Sequence, residues 1–141
     1  MQVSTTSYRG IEVVSIAGVI DSRATGPLCD TLVESVRAGD GMLIVDLSAV
    51  HLATRAGVRC FVVAAKLCES AGGAMRICGA HKPIGIVLRN LGFNHLIKQD
   101  RTMAESIGAL VRDQVNAAAH ELFPAFRDRS VADLFPISSA A

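Results

Sequence analysis

Tryptophan is absent from this 141-residue chain, and aromatic residues make up only 4% of it. Sugars and single-stranded nucleic acids are commonly held by stacking on aromatic rings, so we do not expect a stacking platform for either ligand. Neither sign of charge is in surplus, because the formal net charge is +1. Nucleic-acid backbones call for a basic surplus or stripe, and the sequence contains no run of Lys or Arg, so nucleic acid is not an expected partner.

Long apolar runs are also missing. A helix that spans a bilayer needs about 20 consecutive apolar residues, and no stretch of the chain approaches that length. The opening residues, MQVSTTSYRG, lack the apolar core of a signal peptide. We therefore expect a cytoplasmic protein without membrane insertion. Half of the residues are nevertheless hydrophobic and 19% are charged, which is typical of a chain that folds around one sizeable core.

Motifs for metals, cofactors and catalysis do not occur. The cysteines form no CxxC pair and have no histidine at metal-ligand spacing; they are Cys29, Cys60, Cys68 and Cys78. We interpret them as small buried side chains of a protein in a reducing compartment. Phosphate-binding glycine motifs are absent, and no nucleophile or carboxylate is spaced to act with a histidine. We expect no enzyme, no cofactor and no metal.

Strand and helix patterns alternate along most of the chain. Five segments have the β-branched or apolar character of strands; they are 2–8, 11–20, 42–47, 74–78 and 95–99. Helical spacing of apolar residues predicts four helices, which begin near Thr25, Arg55, Pro83 and Thr102. The order β-β-α-β-α-β-α-β-α predicts an α/β fold with a mixed sheet of about five strands, helices packed on it, and an N-terminal edge hairpin.

The last residues differ in character from the rest. We assign residues 1–119 to one domain and 120–141 to an extension that contains two Phe-Pro pairs. The extension carries large apolar side chains, namely Phe123, Phe126, Val131, Leu134 and Phe135. It could pack loosely on the domain, or it could dock on a partner or mediate self-association.

The segment before the second helix combines a hydroxyl with a cation. Thr54 is expected to cap the helix, its side chain accepting a backbone N–H and contributing about 1 kcal/mol. Arg55 follows it in the first turn, where a positive charge opposes the helix dipole by roughly 0.3–1 kcal/mol. Arg55 could simply point into solvent. Alternatively, together with Arg59 one turn later, it could pair with a partner carboxylate or hold an anion.

Three local sequences in this order resemble the STAS domain, a family that includes bacterial anti-sigma factor antagonists and cytoplasmic domains of some anion transporters. They are VVSIAGVID (13–21), VDLSAV followed by AGVR (45–50 and 56–59), and CGAHKPIGIVLRNLGFNHLI (78–97). The resemblance covers roughly residues 3–115. It implies a regulatory function in transcription by partner switching, in which the antagonist binds an anti-sigma factor and frees a sigma factor.

The resemblance also implies where such a switch would lie. In typical antagonists a phosphoacceptor serine or threonine precedes a glycine at the start of the central helix, and a partner kinase with anti-sigma activity phosphorylates it. Gly57 matches that glycine, so Ala56 stands at the acceptor position, Arg55 at the serine before it and Thr54 at an aspartate. Because Ala56 has no hydroxyl, the usual site is lost. Thr54 is either a cap or a displaced phosphoacceptor.

The resemblance further implies the surface that would bind a serine kinase-like ATPase as the anti-sigma factor. Its residues are Asp21, Ser22, Thr54, Arg55, Ala56, Gly57, Val58 and Arg59. The alternative function is that of a non-phosphorylated STAS subunit in a larger assembly, such as a transport ATPase or a signalling complex.

Overall fold

The computed structural model describes the backbone of residues 1–92 and 94–122, and the side chains of these residues except 117 and 119–122. The elements within these residues follow the predicted order, which is therefore confirmed. They are β1 (Gln2–Tyr8), β2 (Ile11–Ile20), α1 (Thr25–Ala38), β3 (Met42–Ala53), α2 (Arg55–Ser70), β4 (Ala74–Cys78), α3 (Lys82–Arg89), β5 (Ile97–Asp100) and α4 (Met103–Leu122).

The chain divides into two units, of which Met1–Ile107 holds the sheet and the first three helices. The second unit begins at Gly108 within α4. Because the described residues end at Leu122, the predicted extension 120–141 lies almost wholly outside them, and so do its five large apolar side chains. The boundary after residue 119 and self-association through the extension stay predictions. Among the described helices, none is long and apolar enough to cross a membrane.

The sheet has the strand order β1-β2-β3-β4-β5. β1 and β2 form the predicted antiparallel hairpin at one edge, and the remaining neighbours are parallel. Arg9 and Gly10 both have positive φ angles, 52° and 80°. This pair of left-handed residues suits the right-handed twist of a hairpin, and glycine at the second position adopts it without a Cβ clash.

One face of the sheet is packed against α1, α2 and α3. Each helix contributes an apolar stripe to a single core, for example Leu28 and Leu32 from α1 and Phe61 from α2. Alternate residues of the central strands, such as Val45 and Ile77, meet these stripes from the sheet. Continuous apolar runs in β3 follow from burial on both faces, since Ile44 and Val45 are each fully buried.

The strand predicted over 42–47 is too short, because β3 continues to Ala53. Its outer half pairs with β2 alone, from Ala17↔Ala49 to Ile20↔Ala53, whereas the pairing with β4 ends at Asp46↔Cys78. Register shifts in this outer half break the alternation of apolar and polar residues that marks a strand in sequence. β5 is also displaced from the predicted 95–99 to Ile97–Asp100.

A partly buried ion pair fastens the end of β5 to its surroundings. The Arg76 guanidinium on β4 donates two hydrogen bonds to the Asp100 carboxylate, at 2.6 and 2.9 Å. The buried hydroxyl of Ser106, in the first turns of α4, donates to the same carboxylate at 2.7 Å. Asp100 therefore links two strands to the start of a helix.

We expect Arg76→Ala to destabilise the fold by about 3 kcal/mol, because the largely buried Asp100 carboxylate then loses its charged partner. The double variant Arg76→Met/Asp100→Leu should recover much of this loss, since no charge is left unpaired. Urea unfolding followed by circular dichroism measures both free energies of unfolding. Arg23→Ala is the matched control: it removes an ion pair whose arginine side chain is 91% exposed, so it should cost less than about 1 kcal/mol. Equal losses for the two arginines would contradict this account.

Candidate functional site

The predicted surface lies where the carboxyl ends of β2 and β3 meet. These strands are parallel neighbours, so the segments that leave them emerge at the same edge of the sheet. The Thr54 backbone N–H donates to the Ile20 carbonyl at 2.9 Å. The loop from β2 to α1 is thereby joined to the first residues of α2.

Gly57 sets the closeness of this approach. A Cβ atom at Gly57 would lie 2.5 Å from the Ile20 carbonyl oxygen and 2.9 Å from the Asp21 Cα. Both are backbone atoms, which cannot rotate out of the way. The first turn of α2 therefore rests directly on the end of β2, and a side chain at this position would push the helix away.

Thr54 caps α2 as predicted. Its backbone is extended, and its Oγ1 accepts a hydrogen bond from the Gly57 N–H at 3.1 Å. The hydroxyl is half-buried and is committed to the start of the helix. The cap therefore fixes the position at which α2 begins, with Arg55 as its first residue.

A second hydroxyl joins the two helices across the site. The helix predicted to begin near Thr25 does begin there, but its cap position is Ala24, which makes no side-chain bond. The Thr25 hydroxyl instead donates to the Ala56 carbonyl at 3.3 Å. The Thr25 hydroxyl therefore links the start of α1 to the start of α2.

The Asp21 carboxylate is bonded to Arg23, a residue of its own loop. It accepts the Arg23 backbone N–H at 3.0 Å and pairs with the Arg23 guanidinium at 3.1 Å. These hydrogen bonds from Arg23 hold the pKa of the Asp21 carboxyl below its ordinary value. Ser22, between them, is exposed. The Asp21 backbone thus lies beside Gly57. Its carboxylate is bonded to Arg23 within the same turn.

Arg55 and Arg59 line one side of a groove of about 370 Å³. Its other residues are Val62, Val63, Asn90 and Leu91. Both arginines are exposed, and neither forms an ion pair with a described acidic residue. Val63 is 46% exposed. The groove therefore joins two unneutralised cations to an apolar wall.

Two of the predicted surface residues are not available to a partner. Gly57 is buried beneath the loop, and Val58 is fully buried in the core. They support the surface from below, since every third or fourth residue of α2 turns inward. The exposed part consists of Ser22, Arg55, Ala56 and Arg59, with Asp21 and Thr54 half-buried.

Sequence reasoning missed several residues of the site. Arg23 was overlooked, and Thr25 was identified only as the start of a helix, because the partners of both side chains are set by the loop geometry. Asn90 and Leu91 directly follow α3, and no sequence signal links this turn to α2. Val63 lies four residues after Arg59, and this helical spacing could have placed it on the same stripe.

The cysteines take no part in the surface. All four are free thiols; Cys60, Cys68 and Cys78 are buried, and Cys29 is partly exposed. Burial raises the pKa of the Cys60 and Cys68 thiols to about 12 and the pKa of Cys78 to about 11, so they remain protonated at neutral pH. Within residues 1–92 and 94–122, no group of His, Cys, Asp and Glu side chains is arranged to hold a metal ion.

Comparisons with known proteins agree on the fold. The family model described as the STAS domain matches residues 2–108. No match was found among curated protein sequences. A crystal structure of a putative anti-sigma factor antagonist from Thermotoga maritima superposes with a TM-score of 0.71 at 14% identity, covering 78% of this chain and 95% of that one.

Two further solved structures show the same similarity. An anti-sigma factor antagonist from Mycobacterium paratuberculosis has a TM-score of 0.69 at 18% identity, over 77% of this chain and 92% of its own. The Bacillus cell fate determinant SpoIIAA in its phosphorylated form has a TM-score of 0.60 at 14% identity, over 77% and 98%. At these identities the superpositions establish a shared fold.

We expect Gly57→Ala to destabilise the protein by about 2 kcal/mol or more, because its Cβ would overlap the Ile20 carbonyl. Gly26→Ala is the matched control, since Gly26 also lies in the first turn of a helix but a Cβ there meets nothing within 4 Å. Thermal or urea unfolding compares the two variants. A Gly57→Ala variant as stable as Gly26→Ala would rule out the close approach.

We expect Thr54→Ala to lower the free energy of unfolding by about 1 kcal/mol, because the Gly57 N–H then loses its cap. Thr54→Ser keeps a hydroxyl at the same place and should lose much less. The same unfolding measurement on both variants checks this. Identical losses for Ala and Ser would show that the hydroxyl does not stabilise the helix.

Proposed function

The chain belongs to the STAS domain family, and on that premise we propose that it is a regulatory protein-binding domain of the anti-sigma factor antagonist type. Its partner in this proposal is a kinase-type anti-sigma factor, a serine kinase-like ATPase of the cytoplasm. Binding would displace a sigma factor from that partner. The observation that carries the proposal is the exposed, unneutralised pair Arg55 and Arg59 beside the apolar wall of the groove.

The arginine pair is unfavourable for the isolated domain. Arg55 opposes the dipole of α2 in its first turn, at a cost of about 0.3–1 kcal/mol. Arg59 lies four residues further on, where two like charges repel by about 0.2–0.5 kcal/mol. No carboxylate of the described chain offsets either term. A partner carboxylate would offset both, which favours binding as the reason for these residues.

The rigid frame beneath the arginines also favours a recognition surface. The Thr54 cap, the Thr25–Ala56 hydrogen bond and the contact of Gly57 with Ile20 hold the loop and the helix together. A surface that is already in its bound shape loses little conformational entropy when a partner binds. The exposed Ala56 lies in the middle of this frame.

Ala56 bears on how the proposed binding would be regulated. A hydroxyl at this position would accept a phosphate, adding nearly two negative charges beside the partner. Alanine cannot, so we propose an antagonist that binds its partner constitutively. Thr54 is the alternative acceptor, but its hydroxyl caps α2, and phosphorylation there would disrupt the cap.

A second function is also compatible with the absence of a phosphoacceptor at Ala56. A STAS subunit of a larger assembly, such as a transport ATPase or a signalling complex, needs no phosphorylation switch. Ala56 favours this alternative as much as it favours constitutive antagonism. Neither function includes a catalytic step, and we propose that the protein is not an enzyme. The identity of the bound partner separates the two.

We expect tagged wild-type protein, expressed in its native host, to capture a serine kinase-like ATPase, identified by mass spectrometry. Arg55→Glu should weaken the binding of that purified ATPase by about tenfold or more, because a partner carboxylate would then face a like charge. Isothermal titration calorimetry measures the dissociation constant. Arg37→Glu is the matched control, since Arg37 is exposed in the last turn of α1, away from the surface.

The outcomes separate the proposals. A captured transport ATPase or a set of other STAS proteins would favour the assembly function. Equal binding by the Arg55→Glu and Arg37→Glu variants would remove the arginine surface from the proposal. Phosphate on Thr54 in the recovered protein would replace constitutive binding with a displaced switch.

A further inference from the structure

The two edges of the sheet differ in how they are protected from other strands. β5, at one edge, has only four residues and carries the charged Lys98 and Asp100. Short length and charge are devices by which edge strands avoid unwanted pairing. β1, at the other edge, has seven residues, QVSTTSY, with no charge and no proline.

β1 is also open to pairing in its geometry. Six of its seven side chains are exposed, Val3 being the partly buried exception. Its register with β2 runs from Gln2↔Ala17 to Tyr8↔Ile11 without a bulge. In the part of the chain that the structure describes, β2 is the one strand beside it. The outer row of β1 backbone N–H and C=O groups therefore has no strand partner there.

We propose that β1 pairs with β1 of a second copy of this chain, antiparallel, so that two sheets join into one of ten strands. The two-fold axis of such a pair stands perpendicular to the sheet, and each side chain keeps its face. Residues directly opposite one another must therefore both be odd-numbered or both be even-numbered. The register centred on Thr5 satisfies this rule and pairs all seven residues of both strands.

The side chains of this register complement one another. Thr5 faces Thr5 of the second copy, Ser4 faces Thr6, Val3 faces Ser7 and Gln2 faces Tyr8. Hydroxyl pairs of this kind are favourable across antiparallel strands, and no like charges oppose each other. The Glu12 carboxylate, the nearest acid on β2, already accepts a hydrogen bond from Ser7 at 2.6 Å.

Charge is the reason to assign this edge to a second copy. A strand from a charged partner would find no opposite charge on β1 to fix its register, whereas a copy of β1 brings matching hydroxyls at every central position. Strand addition also needs an exposed edge of sufficient length, which β5 does not offer. The surface is separate from the arginine groove, so this inference does not depend on the proposed function.

Multi-angle light scattering on the full chain tests the pairing, over concentrations from about 10 µM to about 1 mM. The expected result is a monomer at the low end and a dimer at the high end. Thr5→Lys places two like charges opposite each other at the centre of the pair, and should leave a monomer throughout. Ser70→Lys adds the same charge at an exposed position at the end of α2 and should dimerise as the wild type does.

Hydrogen exchange keeps the test decisive if Thr5→Lys fails to fold. In the wild type, alternate backbone amides along β1 should exchange more slowly as the concentration rises, because the outward N–H groups become bonded. A wild-type chain that stays monomeric at about 1 mM overturns the proposal. A dimer that survives in folded Thr5→Lys, or one without added protection in β1, also overturns it and points to another surface, such as residues 120–141.

Discussion

The contact between Gly57 and the carbonyl of Ile20 is the constraint on which the candidate site depends. Without a Cβ at this position, the first turn of α2 rests on the end of β2. The Thr54 N–H can then reach the Ile20 carbonyl, and the Thr25 hydroxyl can reach Ala56. Each of these bonds joins segments more than 30 residues apart in sequence. The glycine at position 57 therefore allows two loops to form a single surface.

The same constraint explains which side chains the surface presents. Seating α2 on β2 turns Val58 into the core and leaves Arg55, Ala56 and Arg59 on the outside. The rigid frame is thus formed from backbone and small side chains, while the exposed residues are free to be chosen for a partner. The two arginines weaken the start of the helix slightly. A protein with a few kcal/mol to spare tolerates that cost where binding benefits from it.

The sheet also has buried parts and parts that are exposed to other molecules. Three helices bury one face of it around a continuous apolar core. At one edge, the Asp100 carboxylate of β5 accepts hydrogen bonds from Arg76 and from Ser106. At the other edge, β2 is the one strand beside β1 among the described residues, and all β1 side chains except Val3 are exposed. The hydroxyl side chains of β1 carry no charge that would repel a neighbouring strand, and they are not apolar enough to form a core.

The sequence by itself determined the element order, the α/β class and the family resemblance, because these depend on local periodicity and on short motifs. It also identified the Thr54 cap, since a cap bonds within one turn of its own helix. The tertiary structure alone decided the outer half of β3, whose strand pattern is hidden by register shifts against β2. It also decided the role of Thr25 and the groove beside Arg55. These features depend on partners distant in sequence, and local patterns carry no information about such partners.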